Sequence, residues 1–153
     1  MTLDQTTTPG ACLTSLETYR ATVAPADCDH LGHMNVQHYF RAVSDGMCSL
    51  MAQMGLGPTV IRARKLSFAV VHAETDFWAE LLAGDVIALR SAVEAIGRKS
   101  AEFRHELINV ASGQTVMSTR FKCVLLDLER RVAVEVPPDI RDRMTALASP
   151  PAT

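Results

Sequence analysis

The chain has 153 residues, 48% of them hydrophobic, and a formal net charge of −2 at pH 7. This length and apolar content favour one domain with a real core, which we place at residues 15–147 between flexible tails at 1–14 and 148–153. Lys and Arg are scattered along the chain, which argues against a nucleic-acid partner. No apolar run approaches the roughly 20 residues that cross a bilayer, and the first 15 residues lack the pattern of a secretory signal, so we expect no membrane partner.

The four cysteines are far apart and form no CxxC pair. This usage is typical of a reduced cytoplasmic protein. We expect three of them to be small buried thiols, namely Cys28, Cys48 and Cys123.

In chain order, alternating apolar residues predict a strand at 16–24, which Pro25 ends. Apolar residues spaced by three and four then predict a long helix from Asn35 to the Gly55 stop, with one buried face. Gly46 inside this helix indicates a close approach by a neighbouring backbone. Four strands follow at 66–81, 86–96, 101–110 and 115–128, joined by links short enough to require antiparallel pairing. A short helix from Pro137 to about residue 147 completes an α+β order.

The loop before the long helix is the chemically richest part of the sequence. Residues 27–35 read DCDHLGHMN, with two carboxylates, two imidazoles and an amide in nine positions. Neither CxxC nor HExxH spacing is present, so we expect no bound metal, although loops can gather ligands at irregular spacing. Cys28 beside His30 also raises a cysteine nucleophile, but adjacent residues seldom face each other productively.

This loop and its context resemble a known family. The motif Asp27-x-Asp29-x-x-Gly32-His33-x-Asn35-x-x-x-Tyr39 carries most of the likeness, supported by Gly84-Asp85, Arg98-Lys99-Ser100 and Val134-Glu135-Val136-Pro137. Over residues 16–142 the chain resembles the hotdog-fold acyl-CoA thioesterases of the 4-hydroxybenzoyl-CoA thioesterase-like family. The resemblance implies an α+β hotdog fold, in which one long central helix packs on a five-stranded antiparallel sheet.

The resemblance also implies a function. The expected reaction is hydrolysis of a small or medium acyl- or aroyl-CoA to the free acid and coenzyme A, by a homodimer or homotetramer. No cofactor is expected, since coenzyme A is part of the substrate. Asp29 corresponds to the catalytic carboxylate, which attacks directly or activates water. His33 and Asn35 correspond to residues that hold or polarise substrate or water.

Substrate-binding residues are expected at three places in the sequence, namely the long helix, the second strand and the turn before the fourth strand. The amides around Asn35 and Val36, at the start of a helix, suit the oxyanion that develops on a thioester carbonyl. The turn that contains Arg98 and Lys99, named here the cationic turn, is a candidate for binding the coenzyme A phosphates. The complete set of expected substrate-binding residues is Val36, Tyr39, Glu74, Arg98, Lys99 and Ser100.

Each of these residues also has a structural explanation. Asp29 could satisfy turn amides and Asn35 could only cap the helix. His33 and Tyr39 could pack in the core, while a solvated strand face and an ordinary turn would account for Glu74 and for the Arg98-Lys99 pair.

Two departures from the family motif bear on function. Val36 replaces a second Asn of the motif, and Leu31 stands where plant acyl-carrier-protein thioesterases carry a catalytic Asn. The alternative functions are an acyl-carrier-protein thioesterase, a non-catalytic acyl-CoA-binding module and a hotdog hydratase or dehydratase.

Overall fold

The structure is a computed structural model that describes residues 15–148. Its elements in chain order are β1 (Leu16–Thr22), a 3₁₀ helix (Pro25–Asp27), α1 (Val36–Gln53), α2 (Pro58–Arg64), β2 (Leu66–Phe77), β3 (Val86–Ile96), β4 (Ser100–Asn109), β5 (Thr115–Asp127), β6 (Val132–Ala133) and α3 (Pro138–Ala148).

The strands form one antiparallel sheet in the order β1-β3-β4-β5-β2, and β6 adds a short pairing to the end of β5. β1 and β2 are therefore the outer members of this five-strand order. The α+β hotdog fold predicted from the sequence is confirmed, with six strands in place of the expected five. The sixth has only two residues, too few for a periodic pattern to reveal it.

One face of the sheet is apolar and the other is polar. Along β5 the buried residues alternate with outward-facing ones, so that Phe121 and Leu125 point to the core while Arg120 and Lys122 point away. α1 lies across the apolar face and buries Tyr39, Ala42, Val43, Gly46, Met47 and Leu50. This arrangement places the N-terminus of α1, and the loop before it, at one end of the sheet.

Gly46 marks a close approach, as predicted, but the neighbours are side chains and not backbone. A Cβ atom at this position would clash with Leu89 Cδ2 and would lie 2.8 Å from Thr18 Oγ1. Glycine therefore lets the middle of α1 sit directly on β1 and β3. The packing gain offsets its cost of about 1 kcal/mol in a helix interior.

Other predictions differ from the structure in detail. The helix α2 was not predicted, because its seven residues are too few to show a helical period. β2 ends at Phe77, and not at residue 81. Cys28 is half-buried and Cys123 buried, but Cys48 is exposed on α1, so that prediction was wrong for Cys48. The tails predicted as flexible lie outside the described residues, apart from Ala148 at the end of α3.

Among residues 15–148, no helix is both long enough and apolar enough to cross a membrane.

Candidate active site

The loop between β1 and α1 is held in shape by hydrogen bonds to its backbone groups. The Asp27 carboxylate accepts the Ala24 amide at 2.9 Å, and the Asp27 carbonyl accepts the Asn35 amide at 2.9 Å. Gly32 closes a tight turn by donating to the Asp29 carbonyl at 3.0 Å, with a φ of 82° that favours glycine. The Met34 amide then donates to the Leu81 carbonyl at 2.7 Å. This last bond fixes the loop against the segment that follows β2.

Asp29 is held by two hydrogen bonds, one to each carboxylate oxygen. Oδ2 accepts from the Asn35 side chain at 2.8 Å, and Oδ1 accepts from the Leu31 amide at 2.9 Å. These bonds, with that from Asn35 the larger, hold the pKa of the Asp29 carboxyl below its usual range. Asp29 is therefore ionised at neutral pH, as a nucleophile or general base must be.

Asn35 serves two purposes at once. Its Oδ1 accepts from the Gln37 amide at 3.1 Å and so caps α1, as expected, while its Nδ2 donates to Asp29. Its backbone amide is bonded to Asp27, so it is not available to an oxyanion, contrary to the expectation from sequence. Val36 N–H has no acceptor within residues 15–148, which leaves it as the free donor at the helix N-terminus.

A pocket of about 450 Å³ opens beside this helix end. Its wall is aromatic: Tyr39 and Phe77 meet edge to face at 5.3 Å, and Phe40 meets Phe77 at 6.3 Å. The Tyr39 hydroxyl donates to the Ala79 carbonyl at 3.4 Å. The residues that line the pocket are His33, Met34, Val36, Tyr39, Phe77, Trp78, Ala79 and Glu80.

The pocket gathers part of the predicted site. His33, Val36 and Tyr39 line it, whereas Asp29 and Asn35 lie in the adjoining loop and do not. His33 is held through Nδ1, which lies 3.2 Å from the Met34 carbonyl oxygen, while Nε2 lies 3.9 Å from a carboxylate oxygen of Glu80. The catalytic roles of these residues stay predictions.

Glu74 lies elsewhere, on the polar face of the sheet. It pairs across strands with Arg120 and borders a shallow cleft with Asp76, Arg104 and Ser118. It does not line the aromatic pocket, and a role in substrate binding there stays a prediction.

The cationic turn is also remote from the pocket of its own chain. Ser100 pairs with Val124 of β5, whereas Phe77 pairs with Met117, seven residues along the same strand. At a rise of about 3.3 Å per residue, the turn lies roughly 23 Å from the pocket. The Arg98 side chain is paired with Glu135 at 3.2 Å.

The pocket wall that follows β2 was not predicted from the sequence. Phe77, Trp78 and Glu80 were included in a strand predicted to reach residue 81, so their departure from the sheet was not seen. The available signal was the pair of large aromatic residues at the end of an edge strand. Trp78 is the chain's one tryptophan, and its indole donates to Ser118 at 3.2 Å.

A family model described as the thioesterase-like superfamily matches residues 23–144, most of the chain. The chain belongs to this superfamily. This thioesterase-like protein is thus an enzyme of the thioester hydrolase class, and the matched span contains both the loop and the pocket. The comparison of the chain with curated proteins found no match.

Solved structures similar to this thioesterase-like protein share its fold at low identity. A gentisyl-coenzyme A thioesterase is 21% identical, with a TM-score of 0.72 over 82% of this chain and 98% of the other. A 1,4-dihydroxy-2-naphthoyl-CoA thioesterase from Synechocystis is 20% identical, with a TM-score of 0.75 over 88% and 98%. A hypothetical protein from Staphylococcus aureus, solved in complex with CoA, is 17% identical, with a TM-score of 0.81 over 93% and 89%.

Proposed function

We propose that this enzyme hydrolyses a small or medium acyl- or aroyl-CoA to the free acid and coenzyme A. The observation that carries the proposal is the ionised Asp29, held by Asn35 at the end of α1, where Val36 N–H is free beside the pocket. A carboxylate and an amide donor at one helix end are what an activated thioester requires. The structural similarity to a gentisyl-coenzyme A thioesterase and a 1,4-dihydroxy-2-naphthoyl-CoA thioesterase supports coenzyme A as the carrier.

In this proposal the thioester carbonyl oxygen lies against Val36 N–H, where the partial positive charge of the helix end stabilises the developing oxyanion. Asp29 attacks the carbonyl carbon or takes a proton from the attacking water. Both routes use the same ionised carboxylate, and Asn35 keeps it oriented in both.

The acyl group occupies the aromatic pocket. Rings of Tyr39, Phe77 and Trp78 and the side chains of Met34 and Val36 offer apolar contact, and a volume of about 450 Å³ suits a small or medium group. An aroyl group would gain edge and face contacts with these rings.

The proposed assembly is a homodimer paired through β2. This strand has twelve residues, stands at the edge of the sheet, and exposes Val70, Val71 and Phe77. Antiparallel pairing of two β2 strands about a two-fold axis would set Phe77 of one chain beside the start of β2 in the other. The cationic turn of the second chain lies at that same end of the sheet, which would bring Arg98 and Lys99 toward the coenzyme A phosphates.

Free-thiol release from a panel of acyl-CoAs tests the proposed function. The panel should include aroyl, short-chain and medium-chain CoAs, with the same acyl groups on acyl-carrier protein as a second arm. The proposal expects turnover of at least one acyl-CoA and faster turnover than of the matching acyl-carrier protein. Tight acyl-CoA binding with no thiol release would instead support a non-catalytic binding module.

Sedimentation tests the assembly separately. At micromolar concentration the protein should sediment as a dimer or a larger species, because each site would draw on two chains. A fully active monomer would contradict the shared site.

A further inference from the structure

Glu80 is a carboxylate of the pocket that the proposed mechanism does not use. It follows β2, lines the same pocket as His33, and places Oε1 3.9 Å from His33 Nε2. Its side chain is 72% exposed, so solvent and substrate can both reach it.

The ring of His33 is oriented by its other nitrogen. Nδ1 lies 3.2 Å from the Met34 carbonyl oxygen, which can only accept a hydrogen bond, so Nδ1 carries a hydrogen. A second proton on the ring must therefore sit on Nε2, the nitrogen that faces Glu80. Met34 is itself fixed by the hydrogen bond that its backbone N–H donates to the Leu81 carbonyl, so backbone contacts hold the ring and Glu80 in neighbouring positions.

We propose that Glu80 is a positioning residue that orients the His33 ring, so that Nε2–H points at the departing thiolate of coenzyme A and can protonate it. The inference rests on the proposed thioesterase function and deepens it. The charged groups near the ring are Glu80 after β2 and Asp29 in the loop, and the titratable Tyr39 on α1 lines the same pocket. Of these, Glu80 is the carboxylate beside Nε2 and faces the pocket.

The step balances in protons and bonds. When water attacks, its oxygen bonds to the acyl carbon, its proton passes to Asp29, the carbon–sulfur bond breaks and the Nε2 proton passes to sulfur. The products are the acid and the free thiol, and exchange with solvent returns a proton from Asp29 to Nε2. If Asp29 attacks instead, its oxygen bonds to the acyl carbon, the carbon–sulfur bond breaks and the sulfur takes the Nε2 proton. Water then hydrolyses the resulting anhydride, which releases the acid, regenerates the Asp29 carboxylate and supplies the proton that returns to Nε2.

The role of Glu80 can be separated from a merely structural one because its side chain is exposed and lies beside His33. Glu80→Gln should therefore leave the melting temperature close to that of wild type. The matched control is Glu106→Gln, which removes a carboxylate 3.9 Å from the Arg104 guanidinium on the polar face of the sheet.

The experiment compares wild type, Glu80→Gln, Glu80→Asp and Glu106→Gln on the best acyl-CoA and on the S-(4-nitrophenyl) thioester of the same acyl group. The nitrophenyl thiolate leaves without needing a proton. We expect Glu80→Gln to lower kcat roughly fivefold or more on the acyl-CoA, with little change on the nitrophenyl thioester and partial rescue by Glu80→Asp.

Three results would overturn the inference. Glu80→Gln could match Glu106→Gln on the acyl-CoA, which would show that the carboxylate has no role. Equal losses on both thioesters would show that Glu80 only shapes the pocket. A wild-type enzyme that releases no thiol from any acyl-CoA would remove the proposed function itself, and this result is distinct because it precedes any variant.

Discussion

Two histidines of this protein lie in contrasting environments. His33 lies in the loop beside the pocket, and His105 lies in the core beneath α1 with no exposed surface. Each uses Nδ1 in one hydrogen bond, His33 with a carbonyl and His105 with the Ser91 hydroxyl at 2.7 Å. They differ at Nε2, which faces Glu80 in His33 and has no hydrogen-bond partner among residues 15–148 in His105.

The surroundings of His33 allow proton transfer to a substrate, whereas those of His105 do not. The His33 ring lies near the carboxylates of Glu80 and Asp29 and is open to solvent through the pocket. Around His105 burial lowers the pKa of the ring to about 4, so it stays neutral at physiological pH. Ser91 continues the buried cluster to Thr18 at 2.7 Å, directly under Gly46. Changes at Asp29 or His33 should alter turnover with little effect on stability, and changes in the buried cluster should do the reverse.

The largest expected effect comes from Asp29→Asn, which removes the charge that attack or proton abstraction requires. We expect kcat to fall roughly 10²-fold or more. Asparagine can keep only one of the two accepted hydrogen bonds, so a small loss of melting temperature should accompany it. Steady-state kinetics and thermal unfolding measure both quantities.

Asp27→Asn is the matched control, because this carboxylate accepts the Ala24 amide and lies 3.5 Å from His38 outside the pocket. It should lower stability more than turnover. Near-wild-type hydrolysis by Asp29→Asn would show that the loop is a helix cap without a catalytic carboxylate.

The second effect concerns His105 and pH. Its folded pKa of about 4 lies below the ordinary histidine value of 6.5, so between these values the unfolded chain binds a proton that the folded chain does not. Stability is therefore lost as pH falls from 6.5 toward 4, by up to about 3 kcal/mol from this residue. His105→Gln, which stays neutral, should lose less stability over that interval than wild type.

Urea unfolding at pH 7.0, 5.5 and 4.5 measures the difference between the two proteins. Exposed carboxylates titrate equally in both, so they cancel in the comparison. Parallel stability curves would mean that the ring of His105 takes up its proton as easily in the fold as outside it.

The third effect concerns Gly46→Ala, which adds a methyl group where Leu89 and Thr18 already lie. Alanine favours the helix by about 1 kcal/mol, but overpacking costs typically 1–3 kcal/mol, so we expect a net loss of about 1 kcal/mol. Thermal unfolding checks the loss, and kcat should stay unchanged. Cys48→Ala on the exposed side of α1 is the control and should unfold like wild type. A stabilised Gly46→Ala would show that the neighbouring side chains move aside freely.

How far the sequence predicts this molecule depends on the range of each interaction. The long helix, its Asn35 cap and the antiparallel strands follow from local spacing, and the structure agrees with them. The pocket wall does not follow from local spacing. Phe77 and Glu80 are far from His33 in sequence, and the hydrogen bond between Met34 and Leu81 holds the two segments together. The buried cluster is similar, since Thr18, Ser91 and His105 come from three strands that only the sheet register aligns.

The smallest effect belongs to a region outside both clusters, the exposed turn with Arg98 and Lys99. Replacing both with Ala should raise KM for acyl-CoA several-fold and leave kcat nearly unchanged, because phosphate contacts remote from the thioester bind ground state and transition state alike. Arg20→Ala is the matched control, since it removes an exposed arginine paired with Glu17 on β1. Because the Arg98 guanidinium already has a carboxylate partner in Glu135, Glu135→Gln should leave KM equal or lower. Steady-state assays at low and moderate salt measure each value, and the difference should shrink as salt screens the phosphates. A double variant with an unchanged KM would make Arg98 and Lys99 ordinary turn residues.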